Sequence, residues 1–204
     1  MNQSNNLLSQ IVSYKSYAKF LEALNRRETF SETINRNMNM HLERFPKLSA
    51  DILKAYKQIH EYKVMPSMRS MQFGGEQILK NNVKLFNCSF ANADYERVFS
   101  EALYVLLCGT GFGFSCQKHH ISKLPEIKQP TDEGFFTVHD SIAGWAEALD
   151  RLMNAYFNKS IRPIYNFANM RPKGTRLSSG AKTPGYEPLK MILEKVEAKL
   201  KSAV

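Results

Sequence analysis

Two short stretches carry residues able to do chemistry. Asn87-Cys88-Ser89-Phe90 carries a thiol, and Cys108-Gly109-Thr110-Gly111-Phe112-Gly113-Phe114-Ser115 alternates glycine with phenylalanine. A strand of that second pattern has one face of bare backbone and one packed face, and a flat ligand can come close to the bare face. A cysteine just upstream is then placed to act on that ligand. Residue types alone leave a second reading of Cys88 open, as a small buried thiol with no reactivity. Cys108 closes an apolar run and reads as core. Cys116 follows a strand and reads either way. No pair has the Cys-x-x-Cys spacing of a zinc or redox motif. His119-His120 is a doublet whose side chains diverge on a strand, which disfavours a metal site there.

These stretches need elements to hold them. Tyr17, Phe20, Leu21 and Leu24 share a helical face. Thr29 and Glu32 form a capping box for a helix over about 30–43. Phe45-Pro46 ends it, and Ser49 caps another helix to about Tyr62. Pro66 keeps the start of Met65-Pro66-Ser67-Met68-Arg69-Ser70 out of a helix. Gly74-Gly75 is a turn, and 83–90 reads as a strand. A helix from Asp94 buries Val98, Ala102, Val105 and Leu106 and stops at Gly109. Gly111 to Ser115 is the next strand, and 117–138 is a polar surface connection. Ser141 caps a helix whose apolar face is Trp145, Leu149, Leu152, Met153 and Tyr156. Arg171 to Gly185 is a cationic loop, and Pro188 opens a last amphipathic helix. This order predicts an α/β chain with a mainly helical region over 1–80 and an α/β region over 81–204.

Composition sets outer limits. The chain has 204 residues, three cysteines and a formal charge of +9. So few cysteines exclude a disulfide framework and predict a cytoplasmic protein. No apolar run reaches the roughly 18–20 residues of a membrane span. The positive charge suits a polyanionic partner, but no nucleic-acid motif accompanies it. Gly109 to Gly113 lacks the Gly-Lys-Ser/Thr of a P-loop and precedes a strand, which argues against dinucleotide and ATP motifs. In Arg171, Lys173, Arg176 and Lys182, interleaved with Gly174, Thr175, Ser178, Ser179 and Gly180, cations and hydroxyls suit phosphate oxygens. A solvated basic loop is the plainer alternative.

Five blocks in order resemble the N-terminal part of a ribonucleotide reductase large chain of the adenosylcobalamin-dependent, monomeric ribonucleoside-triphosphate type. They are Arg26-Arg27-Glu28-Thr29-Phe30 with Glu32-Thr33, then Met65 to Ser70 with Gly74-Gly75, then Asn87-Cys88-Ser89, then Cys108 to Ser115, and lastly Arg171-Pro172-Lys173-Gly174-Thr175-Arg176 with Pro184 to Leu189. Asp140-Ser141 with Gly144-Trp145-Ala146 adds to them. The resemblance implies thiyl-radical removal of the ribose 3′-hydrogen, loss of the 2′-hydroxyl as water, and reduction by two thiols. It implies that Cys88 is one of those thiols and that Ser67 and Ser89 meet the substrate's phosphate and ribose edge. Thr110 and Gly111 meet the nucleotide, and Arg171, Lys173 and Arg176 sense a deoxynucleotide effector. It also implies the first strands of a ten-stranded α/β barrel, adenosylcobalamin bound mainly outside this chain, and a thioredoxin-like reductant.

Two departures qualify this. The family's radical cysteine and second reducing cysteine lie downstream of anything in this chain, so a complementary polypeptide is expected and the chain alone should be inactive. The stretch 178–183 follows the family's glycine-rich loop only loosely. A reductase using a separate metal-radical subunit and a non-catalytic nucleotide-binding remnant are the alternatives.

Overall fold

A computed structural model describes residues 3–176 and 182–204, so the predicted contacts of Ser178, Ser179 and Gly180 lie outside the described residues. The chain divides into two compact units, 1–87 and 88–204.

The first unit is helical. Helix α1 (Gln3–Ser16) leads into a small antiparallel ribbon of β1 (Phe20–Leu21) and β2 (Arg26–Arg27). The single helical face predicted over 17–24 is therefore broken. Asn25 adopts φ 49°, a left-handed conformation that asparagine tolerates, and it turns the chain back on itself. Helix α2 (Phe30–Arg44) starts where predicted, with the Thr29 hydroxyl accepting from the Glu32 amide and the Glu32 carboxylate accepting from the Thr29 amide. Pro46 opens a 3₁₀ turn before α3 (Ser49–His60), so Ser49 is the first helical residue and not its cap. Short helices α4 (Met68–Phe73) and α5 (Glu76–Lys80) flank the Gly74-Gly75 turn. The predicted strand over 83–90 is instead a 3₁₀ turn over Asn82–Leu85 followed by a later strand. Ile34, Tyr56, Ile59 and Met71 form this unit's small core.

The second unit contains two strand–helix–strand repeats. Strand β3 (Cys88–Asn92) pairs in parallel with β4 (Gly111–Ser115), and α6 (Val98–Leu107) joins them. Strand β5 (Glu133–Thr137) pairs in parallel with β6 (Arg162–Asn166), joined by α8 (Ile142–Phe157). Parallel neighbours need such a crossover. The two pairs stand as separate two-stranded sheets, and neither closes on itself. Strand β5 lies inside the segment predicted as a plain surface connection, which also carries a helical turn, α7 (Lys118–Ile121). His119 and His120 sit on that turn with ring centroids 3.9 Å apart, not diverging on a strand. Helix α9 (Glu187–Lys201) ends the unit with proline in its first turn, as predicted.

Helix α8 is the axis of this unit's core. The Ser141 hydroxyl accepts from the Gly144 amide at 2.9 Å and caps it. Leu149, Leu152, Met153 and Tyr156 are buried with Val138, Leu189, Leu193 and Leu200, and Trp145 packs against them. Helix α6 begins at Val98 rather than Asp94 and departs from its predicted stripe, since Leu106 is 53% exposed while Phe99 and Leu103 face the core. A helix apolar on every side leaves its buried face undecided by periodicity. Among the described residues, no helix is long and apolar enough to cross a membrane.

Candidate functional site

Cys88 is the first residue of β3 and stands opposite Gly111, the first residue of β4. The thiol is exposed, which removes the buried-thiol alternative, whereas Cys108 is 3% exposed and belongs to the core. Ser89 follows Cys88, and its hydroxyl donates to the Gly111 carbonyl at 3.0 Å. Thiol, hydroxyl and glycine backbone thus share the same end of one parallel pair. Gly109, at φ 86°, ends the connection from α6 and allows the tight entry into β4. Thr110 sits beside this group but is only 2% exposed. The face expected to be bare backbone is bare only in part. A Cβ at Gly113 would lie 3.4 Å from the Phe90 ring, so that aromatic side chain covers Gly113.

Ser67 lies in the first unit. It is exposed, precedes α4, and makes no side-chain cap. A six-residue helix has little stability of its own, and polar groups of α2 hold its far end. Arg36 donates to the carbonyls of Met71 at 3.0 Å, Gly74 at 2.7 Å and Tyr17 at 3.2 Å, and pairs with Glu28 at 2.8 Å. Glu28, 5% exposed, also accepts from the Lys19 amide and the Thr33 hydroxyl. The Asn37 side-chain oxygen accepts from Ser70 at 2.7 Å. Gly74 is required here, because a Cβ would lie 2.6 Å from the Ser70 carbonyl oxygen. Lys19 also donates to Gly74, and burial together with the Arg36 charge lowers its pKa to about 8. At the near end, Arg69 donates to the side-chain oxygen of Asn87, the residue before Cys88. Sequence reasoning did not find Arg36 and Asn37. Their signal, polar residues on the inner face of an amphipathic helix, is invisible until the partners are known.

The cationic loop has a defined stem. The Gly174 amide donates to the Thr183 carbonyl at 2.9 Å, the Thr183 amide donates to Thr175 at 2.8 Å, and Arg176 bridges Lys182. Lys173 and Arg176 are exposed. Arg171 is half-buried, and its guanidinium is paired with the Asp140 carboxylate just before α8. The predicted cations therefore share one loop but do not share one environment. Among the described residues, no cluster of three or more histidine, cysteine, aspartate or glutamate side chains suits a metal ion.

A thiol held at a strand end can deliver hydrogen or electrons to a molecule laid against the neighbouring backbone, because a rigid element fixes the distance. No protein-family model matches the chain. A probable adenosylcobalamin-dependent ribonucleoside-triphosphate reductase of Dictyostelium discoideum is 26% identical, over 97% of this chain and 31% of that protein. An adenosylcobalamin-dependent ribonucleoside-triphosphate reductase of Euglena gracilis is 28% identical, over 66% of this chain and 20% of that protein. The chain thus spans between a fifth and a little over a third of the curated relatives it matches. A crystal structure of a B12-dependent (class II) ribonucleotide reductase superposes on 95% of this chain with a TM-score of 0.80 and 20% identity, using 37% of that protein. In sequence, over nearly its whole length, the chain is similar to adenosylcobalamin-dependent ribonucleoside-triphosphate reductases, and it has the fold of the matching part of a class II ribonucleotide reductase.

Proposed function

We propose that the chain is the N-terminal component of a ribonucleoside-triphosphate reductase, with Cys88 as one of two reducing thiols. The observation that carries this reading is an exposed Cys88 on β3 beside Gly111 and the Ser89 hydroxyl, in a chain similar to such reductases over 97% of its length. In this reading, two thiols and a ribonucleotide become one disulfide, one water and a deoxyribonucleotide. Cys88 supplies one thiol, and the other comes from the rest of the reductase. Ser67 and Ser89 bind the phosphate and ribose edge of the substrate. Gly111 and the Thr110 backbone bring main chain against the nucleotide, since the Thr110 side chain is buried. Arg171, Lys173 and Arg176 meet a deoxynucleotide effector, with Arg171 at the loop's root. The two parallel pairs are the first strands of the ten-stranded barrel. Their open sides, with Phe90 at 66% and Phe135 at 87% exposure, suit coverage by a complementary polypeptide.

The similar reductases are named adenosylcobalamin-dependent, and in the proposed reading that cofactor, when bound, would supply the radical. Two clefts of the second unit, of about 560 and 520 Å³, are not lined by Cys88. The cofactor's site is expected mainly outside this chain, which spans only 20–36% of the length of such reductases.

Reconstitution with a polypeptide carrying that remaining part tests the reading. Deoxyribonucleotide should form only with both parts, adenosylcobalamin and a dithiol reductant such as thioredoxin. Substitution C88S should abolish multiple turnover. Undiminished turnover by C88S would favour a merely nucleotide-binding role, and turnover without adenosylcobalamin would favour a separate metal-radical subunit.

A further inference from the structure

We infer that Arg36 is a positioning residue for substrate binding: by gripping the far end of α4 it fixes the place of Ser67, and Ser67 meets the phosphate edge of a ribonucleoside triphosphate. The inference rests on the proposed reading of Ser67 as a substrate contact. Three observations carry it.

First, α4 does not set its own position. It has only six residues, Pro66 keeps Met65 out of the helix, and the Ser67 side chain makes no cap. The Ser67 carbonyl accepts from the Met71 amide at 3.0 Å, so whatever fixes Met71 fixes Ser67 one turn away. Second, one side chain collects the carbonyls at the other end. Arg36 donates to Met71 at 3.0 Å and to Gly74 at 2.7 Å, and the Lys19 ammonium donates to Gly74 at 3.0 Å. The last carbonyls of a helix have no partner within it, and cations are favoured beside them. Asn37, fully buried next to Arg36 on α2, accepts from the Ser70 hydroxyl at 2.7 Å. Ser70, Met71 and Gly74 are spaced three and four residues along the stripe that begins at Ser67, so α2 holds that one face of α4. Gly74 permits the approach, since a Cβ there would lie 3.1 Å from the Asn37 side-chain oxygen and 3.2 Å from an Arg36 nitrogen. Third, Arg36 is itself held. Glu28 accepts from its Nε at 2.8 Å and from its Nη2 at 3.0 Å. Glu28 is 5% exposed and also accepts from the Lys19 amide at 3.0 Å and the Thr33 hydroxyl at 3.1 Å. A guanidinium gripped by such a fork has a fixed plane, so its other N–H groups point in fixed directions. A lysine at this position would keep the charge but could not span Glu28, Met71 and Gly74 together.

The test uses the reconstituted reductase with the variants S67A, R36K, R36K/S67A and K19M, each checked for folding by circular dichroism. Steady-state kinetics with ATP, GTP, CTP and UTP reads substrate binding, and hydrogen exchange at the Met71 and Gly74 amides reads α4. The inference expects S67A and R36K each to raise KM about tenfold with kcat within about twofold of wild type, as loss of one bond to a charged group implies. The double variant should be no worse than the worse single one, because Arg36 acts through Ser67. R36K should also speed exchange at Met71 and Gly74, and K19M should do both to a smaller degree. A fall in kcat at unchanged KM in R36K would overturn the inference, because a smaller folded fraction alone produces that. A rise of about a hundredfold in the double variant would overturn it too, because independent effects multiply. A higher KM in S67A but not in R36K would leave the reading of Ser67 standing and sink the positioning. Unchanged KM in S67A would sink the reading of Ser67 and the inference with it. Should R36K fail to fold, K19M decides the matter, and unchanged KM and unchanged Gly74 exchange in K19M would overturn the inference.

Discussion

The two strand–helix–strand repeats of the second unit have one topology and opposite priorities. In the repeat of β5, α8 and β6, the helix buries nine residues and the strands are tied to α9 through Arg162 and Glu197. In the repeat of β3, α6 and β4, the helix buries only Val98 and Ser100, and its strands begin with an exposed thiol opposite a glycine. The first is organised around packing and the second around access. In the proposed reading, a thiol that must meet its substrate sits on elements with fewer contacts, and the neighbouring repeat of the same design supplies the stability.

This contrast can be broken at graded strength. Leu152 is 1% exposed at the centre of α8. Leu152→Ala should cost about 2–5 kcal/mol in urea unfolding, or prevent folding altogether. Gly144→Ala should cost about 1–3 kcal/mol, because its methyl would enter the space of the His139 carbonyl. Ser100→Ala tests the weaker link between the repeats. Its hydroxyl reaches Asp150 of α8 at 2.7 Å, and losing that bond should cost about 1 kcal/mol. Cys88→Ser should change stability by less than about 0.5 kcal/mol, as for an exposed position. Thiol labelling of the folded wild-type chain sharpens the same point. Cys88 and Cys116 should react at once, and Cys108 only after denaturant is added. Equal losses at Leu152 and Cys88 would erase the contrast.

Helix α8 was legible in the sequence, since Ser141, Leu149, Leu152, Met153 and Tyr156 combine a cap with a clean helical period, but neither strand of its repeat was. The capping box of Thr29 and Glu32 and the stop at Gly109 were legible for the same reason, because each is a local bond or a local backbone conformation. What escaped depends on distant partners. Strand β5, Glu133 to Thr137, is five residues without clear alternation and is defined by its pairing to β6. The face that α6 buries was hidden because apolar residues surround that helix. At the site, Cys88 and the glycine-bearing strand could be singled out by residue type and Ser89 through the family resemblance, and the pairing of β3 with β4 brings them together. The engagement of Arg171 by Asp140, 31 residues away, and the grip of Arg36 on Gly74 have no local signal.

The central claim is that Cys88 gives up its hydrogen during nucleotide reduction. The direct measurement is a single turnover by the prereduced, reconstituted reductase without external reductant, followed by alkylation under denaturing conditions and mass spectrometry of the Cys88 peptide. The account predicts that Cys88 becomes disulfide-bonded in proportion to the deoxyribonucleotide formed. Product formation with Cys88 still fully alkylated would contradict it.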